Sequence, residues 1–220
     1  MEVTIIGTGD MARAVGSRVV AGGHALQVMG RKQQAAAALA SELGGAANAG
    51  AANAGAVDAT EIGEPVSGQV IVLAVPYEAV GDLLPWIADQ AGQRVIVDIT
   101  NPIDWQTRDG LVVPLGSSAA EQIQDRLPAG RAAVVKAFNT VFAANLGKGE
   151  GAGQTVDVLI AGDDAAAKQL VTTLATDGGL RAVDVGPLRR ARELEAFQLL
   201  HIALQHAMPA PYTSAVRLLY

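Results

Sequence analysis

The sequence predicts a doubly wound α/β domain built on a parallel sheet. Three observations carry this. Short β-branched runs alternate with longer alanine-rich runs along the 220 residues. The β-branched runs are apolar at consecutive positions, as in strands covered on both faces. A glycine-rich turn, Gly7-x-Gly9-x-x-Ala12, follows the first such run and opens the first alanine-rich segment.

Taken in order, the runs "VTII" (3–6), "ALQVM" (25–29), "QVIVLAV" (69–75), "RVIVDI" (94–99), "AAVVKAF" (132–138), "VDVLIA" (156–161) and "RAVDV" (181–185) read as strands. The intervening segments near 10–21, 32–43, 77–90, 118–127, 163–176 and 189–207 read as helices. Residues 1–150 are expected to form a dinucleotide-binding unit. Residues 151–220 are expected to add a small C-terminal αβα extension, packed on the first part in one compact unit. The tandem pentapeptide "AANAGAANAG" (46–55) breaks the alternation and reads as a low-complexity surface loop. The last helix carries Leu194, Phe197, Leu200, Leu204 and Met208 at three- and four-residue spacing. Ala196, Leu199, Ile202 and Ala203 widen that stripe beyond what one packing partner needs. It predicts a homodimer formed through residues 189–207.

Composition narrows the function. Hydrophobic residues make up 50% of the chain and charged residues 17%, enough for a substantial core. Aromatics are only 4%, which favours helices packed closely on a sheet over an aromatic-lined binding face. A net charge of -6 argues against nucleic acid or an acidic membrane as partner. The absence of cysteine removes disulfides, thiolate metal sites and thiol nucleophiles. No basic leader with a long apolar run and no membrane-length apolar stretch is present, so a cytoplasmic protein is expected.

The glycine turn carries the most specific chemistry. Gly7 permits the tight turn, Gly9 lets backbone approach a pyrophosphate, and Ala12 is small enough for the helix–strand contact. Thr8, Gly9, Asp10 and Met11 lie on the phosphate turn, whose amides point at the phosphates from a helix N-terminus. Asp10 favours the helix dipole and can turn its side chain away. A site that selects NAD places a carboxylate about 20 residues further on. Here no Asp or Glu occurs from Met11 to Ser41, and the second strand ends Met29-Gly30-Arg31-Lys32. A guanidinium offers a 2′-phosphate a planar donor fork, and Gly30 leaves room for it. The expected cofactor is therefore NADP(H).

Three further loops fall at the C-terminal ends of expected strands, where ligands bind in open α/β sheets. "AVPYE" brings Ala74, Val75, Pro76 and Tyr77; "DITNP" brings Asn101 and Pro102; "KAFNT" brings Phe138, Asn139 and Thr140. Asn101 and Asn139 can orient a nicotinamide carboxamide. Phe138 is assigned to the second substrate. So are Arg189, Arg190 and Arg192, which can attract an anionic tail from the start of the last helix. No nucleophile elbow, metal-binding pair or proton-transfer dyad is apparent, so no catalytic side chain and no metal are assigned. His24, His201 and His206 read as structural.

Together, "GTGDMA", "GRK", "AVPYEAV", "VDITNP", "VVKAFNTVFAANL", "IAGDD" and "VGPLRRARELEA" resemble the NADPH-dependent coenzyme F420 reductases, in order and spacing over about residues 2–205. "GTGDMARAV" and "VKAFNTV" are equally similar to the cytoplasmic reductase domain of the six-transmembrane metalloreductases. The resemblance implies a Rossmann-type NADP-binding fold and direct hydride exchange between nicotinamide C4 and a stacked flavin-like ring, with F420 as co-substrate. That chemistry needs alignment more than a side-chain acid or base. It also implies that Arg31 meets the 2′-phosphate, that Val75, Pro76 and Tyr77 flank the dinucleotide, and that Asn139 and Thr140 lie near the nicotinamide. Arg192 and Glu195 match the resembling C-terminal pattern. The chain departs from that pattern at Gly30, where a serine is common, and at Ala35, where a basic residue is common; Lys32 can substitute for the latter. Two other readings stand beside this one. The first is an NADPH-dependent reductase of free flavin, ferric complexes or a small imine. The second is a non-catalytic NADP-binding sensor.

Overall fold

The computed structural model describes residues 1–48 and 55–219. Strand β1 (Glu2–Ile6) leads into α1 (Asp10–Ala21), then β2 (Ala25–Gly30) and α2 (Gln33–Asn48). Next come β3 (Val57–Glu61), β4 (Val70–Leu73), α3 (Tyr77–Ala91), β5 (Val95–Asp98), α4 (Ala119–Arg126) and β6 (Ala133–Lys136). The chain continues through α5 (Ala143–Lys148), the two-residue strands β7 (Glu150–Gly151) and β8 (Gln154–Thr155), and β9 (Asp157–Gly162). It then forms α6 (Ala165–Asp177), β10 (Arg181–Gly186) and α7 (Ala191–Ala203). Most of the expected 46–55 loop lies outside the described residues; positions 46–48 belong to α2.

One eight-stranded sheet runs in the order β10-β9-β6-β5-β4-β1-β2-β3. Its β3-to-β6 portion is parallel and has the doubly wound order that reverses between β1 and β4. The continuous apolar runs fill two cores by simple alternation. Ile5, Val70, Val72, Val95, Val97 and Val135 face one core, which holds α1, α2 and α6 residues. Ile6, Ile71, Leu73, Ile96 and Val134 face the other, with α3 and α4. That is why these strands show no polar face in sequence.

The sheet departs from the expectation at one boundary. β9 pairs antiparallel with β6, through Val135↔Gly162 and Lys136↔Ala161, and β10 then runs parallel to β9. The sheet is therefore mostly, not wholly, parallel. The cause lies in the connection. A parallel return needs a crossover of a dozen or more residues, usually helical. α5 has only six residues, about 9 Å of helix, and a β7–β8 hairpin follows it. The chain re-enters from the edge it left.

Edge strand β3, "VDATE", was not expected. Its polar side chains suit a sheet edge and hide the strand pattern. Caps follow local chemistry. The Ser118 side chain accepts from Glu121 N and donates to Glu121 Oε2, and Asp164 accepts from Ala167 N. The expected 189–207 helix starts later, because Leu188–Arg190 forms a 3₁₀ turn, and it ends at Ala203 with a second such turn.

Candidate active site

The turn after β1 is shaped by what lies around it. Gly7 has φ 129°, and a β-carbon there would lie 2.1 Å from the Ala74 carbonyl oxygen. Only glycine can occupy it. Gly9 is the N-cap of α1, which no side chain caps. A β-carbon at Gly9 would meet nothing within 4 Å, so this residue borders open space. The first amides of α1 therefore face an open cradle with no protein acceptor in it, the geometry of an anion site. Ala12 is fully buried where α1 meets the sheet. The Asp10 side chain is 87% exposed and pairs with Arg13.

At the end of β2, Gly30 is buried, and a β-carbon there would press the Thr8 methyl at 2.9 Å. A side chain at Gly30 would crowd the phosphate turn. Arg31 and Lys32 are exposed, and among the described residues neither makes an ion pair. α2 has no acidic residue in its first turn. The positive charge at this corner is thus not neutralised by an ion pair among the described residues.

At the ends of β5 and β6, two asparagines face each other. Asn139 Nδ2 donates to Asn101 Oδ1 at 3.0 Å and to the Leu194 carbonyl at 3.3 Å. Asn101 Nδ2 donates to the Asn139 carbonyl at 3.1 Å. With two acceptors around it, the Asn139 nitrogen is fixed in place. Its Oδ1 is buried and has no hydrogen-bond partner among the described residues. An orphaned buried acceptor costs free energy and needs a reason. The preceding residue, Phe138, is buried and has φ 61°, a strained conformation for an aromatic residue.

Beneath this lies an arrangement that sequence reasoning missed. Lys136 Nζ contacts Asp98 Oδ2 at 2.8 Å, Glu195 Oε1 at 2.7 Å and the Thr100 carbonyl at 2.6 Å. Both Glu195 oxygens also accept from Ala119 N. Burial pulls the Lys136 ammonium down, but the two carboxylates outweigh it and hold its pKa above the ordinary value. Burial pushes the Glu195 carboxyl up; Lys136 opposes this and Asp98 reinforces it. The triad ties α7 and α4 to the ends of β5 and β6, directly below Asn101 and Asn139. One sequence signal was available: a lysine inside the otherwise apolar run "AAVVKAF".

A cleft of about 980 Å³ opens above the asparagines. Met11 and Ala14 of α1, Ile99, Asn101 and Asn139 line it. Phe142, Trp105 and Tyr212 also line it, so the expectation against an aromatic-lined face is corrected. Folding gathers scarce aromatics from three distant segments.

The remaining expected residues are placed as follows. Ala74 and Val75 are half-buried beside the glycine turn, Pro76 is exposed, and the Tyr77 hydroxyl donates to Gln122 of α4 at 3.0 Å. Pro102 and Thr140 are buried next to the paired asparagines. Arg189, Arg190 and Arg192 do not line the cleft. The α7 residues that do are Gln198 and Ile202, about 9 Å or more along the helix from Arg192. Arg192 pairs with Glu121, Arg190 pairs with Glu193, and Arg189 faces a separate depression with Asp125 and Asp163. No helix among the described residues is long and apolar enough to cross a membrane.

The strand order, the glycine turn and the open α1 N-terminus define a dinucleotide-binding protein of the doubly wound class. A profile described as "NADP oxidoreductase coenzyme F420-dependent" matches residues 2–102. The F420-dependent NADP reductase of Methanothermobacter thermautotrophicus is 30% identical over 211 residues, 93% of this chain and 89% of that one. This chain belongs to the F420-dependent NADP reductase family. It is also similar to Metalloreductase STEAP3 of Rattus norvegicus, 31% identical over 90% of this chain. It spans 36% of the length of that protein, and 62% of the related reductase of Methanocaldococcus jannaschii. Among solved structures, a putative F420-dependent NADP reductase from Arthrobacter sp. FB24 superposes with TM-score 0.77 at 25% identity, covering 96% of each chain.

Proposed function

We propose that this chain is an NADP(H)-dependent oxidoreductase that exchanges hydride directly between the nicotinamide and a flavin-like acceptor, the deazaflavin coenzyme F420. The observation that carries the reading is the hydrogen-bonded pair Asn101 and Asn139, which lines a cleft wider than one nicotinamide ring needs.

Bound NADPH supplies the hydride; the protein supplies position. The amides of residues 9–11 would hold the pyrophosphate, and Arg31 with Lys32 the 2′-phosphate. Asn139 would accept from the carboxamide and fix the ring's rotation about its glycosidic bond. The triad of Asp98, Lys136 and Glu195 also holds the Thr100 carbonyl, next to Asn101 in the chain. Such fixed alignment is the main lever in direct hydride transfer. The names of the curated relatives support both the cofactor and the acceptor. The proposal extends to a homodimer, for which Leu200, Leu204 and Met208 offer exposed apolar surface at and just beyond the end of α7.

The test is loss of NADPH absorbance with coenzyme F420, FMN or ferric citrate as acceptor. Turnover with F420, and much slower turnover with NADH as donor, is the expected result. Binding of NADPH without turnover of any acceptor would make the protein a sensor instead.

A further inference from the structure

Two of the three aromatic side chains on the cleft are exposed there. Trp105 is 51% exposed and Tyr212 is 45% exposed, while Phe142 behind them is buried. The whole chain has two Trp, three Tyr and three Phe, so this concentration at one opening is uneven. Exposed aromatic faces beside a cleft suit a flat ring with two apolar faces.

Both residues sit on backbone that side-chain hydrogen bonds organise. Trp105 sits on a turn organised by Asp104, whose Oδ1 accepts from Gln106 N and Thr107 N. Tyr212 belongs to residues 209–219, a strap without regular structure. Buried side chains grip it. Asn145 Nδ2 donates to the Thr213 and Ser214 carbonyls at 2.9 and 2.8 Å. His201 Nε2 lies 2.9 Å from Ser214 Oγ, and Gln205 Oε1 accepts from Tyr212 N at 2.8 Å. Asn145, His201 and Gln205 are each at most 5% exposed. Tyr212 itself has φ 62°, and its ring meets Phe142 edge-on at 5.4 Å. An aromatic residue held in this backbone conformation by three buried polar side chains is a placed feature, not a loose end.

We infer that Trp105 and Tyr212 are the residues that select and position the acceptor ring, with Ser214 acting as the latch that sets Tyr212. This rests on the functional reading above and adds to it the recognition element. Asn139 fixes the nicotinamide at the inner end of the cleft. The acceptor must stack on that ring, so it occupies the space between it and the two aromatic walls. Among the described residues the only arginine or lysine lining the cleft, Arg13, is bound by Asp10 and Glu42, so recognition there falls to the ring.

The experiment uses the full chain with coenzyme F420 and riboflavin as acceptors. Tyr212→Ala and Trp105→Ala should each raise the acceptor KM about tenfold, the lower range for a lost ring stack. NADPH Kd should stay within twofold, and Tyr212→Phe should behave as the parent protein. Ser214→Ala tests the latch without touching either wall, and should raise acceptor KM severalfold at unchanged NADPH Kd. An acceptor KM within twofold of the parent in Tyr212→Ala and Trp105→Ala overturns the inference. So does a change of sedimentation with no change of KM, which would make this surface a contact between copies. A parent protein that binds NADPH but neither binds nor reduces either acceptor overturns the functional reading itself.

Discussion

The Lys136 ammonium lies 2.7 Å from Glu195 Oε1, and neither side chain has any solvent exposure. Asp98 stands on the other side at 2.8 Å, so one cation serves two carboxylates. Such a group is valued less for net stability than for what its disruption costs.

Lys136→Met should therefore destabilise severely. It leaves two buried carboxylates without a counter-charge, at about 3–5 kcal/mol or more. For a chain of this size the fall in Tm should be roughly 10 °C or greater. Glu195→Gln keeps an acceptor for Ala119 N and leaves Lys136 paired with Asp98. Its cost should be less than half as large. Calorimetry of both variants checks this, and equal losses would contradict the arrangement.

The two ends of the dinucleotide cradle should separate in binding. Gly9→Ala meets no atom in the fold, so Tm should hold while NADPH and NADH both bind at least tenfold more weakly, about 1.4 kcal/mol. Arg31→Ala should weaken NADPH by about 1.5–3 kcal/mol and leave NADH almost unchanged. Fluorescence titration with both cofactors reads the pattern. A loss shared equally by NADPH and NADH in Arg31→Ala would remove the 2′-phosphate assignment.

The strap should loosen in mild acid. Burial lowers the His201 pKa, which the backbone bond to Thr140 only partly offsets. A group with a depressed folded pKa contributes stability that is present above its unfolded value, about 6.5. That stability is lost as pH falls through the folded pKa. Between pH 7.5 and 5.5 the parent protein should lose more Tm than His201→Gln. His24 is lowered by burial too and remains in both proteins, so the difference isolates His201. Identical pH profiles would show that His201 does not titrate in this range.

The apolar end of α7 should hold two copies together. Leu200 is 57% exposed and Leu204 46%. Sedimentation at micromolar concentration should give twice the 22.5 kDa chain mass, and Leu200→Glu with Leu204→Glu should give the single chain. A parent protein that sediments as one chain rules the dimer out.

The sequence by itself determined the parallel core of the sheet and set the expectation for the cofactor end of the site. Both depend on local patterns: consecutive apolar residues for strands covered on two faces, glycines for a turn that admits no β-carbon, and a strand ending in Arg31-Lys32 with no acid nearby. Tertiary structure decided what depends on residues distant in the chain. β9 runs antiparallel because α5 is too short to carry the chain back across the sheet, and no pattern within β9 encodes that. Asp98, Lys136 and Glu195 look like unrelated charges until β5, β6 and α7 converge and exclude water around them. Arg189, Arg190 and Arg192 read as one cationic cluster, yet the 3₁₀ turn at Leu188–Arg190 and the partners Glu193 and Glu121 spread them away from the cleft. Trp105 and Tyr212 are more than a hundred residues apart in a chain poor in aromatics. Only the fold of the strap onto α5, α7 and the 3₁₀ turn after α7 brings them to one opening, because Asn145, His201 and Gln205 hold it from those three elements.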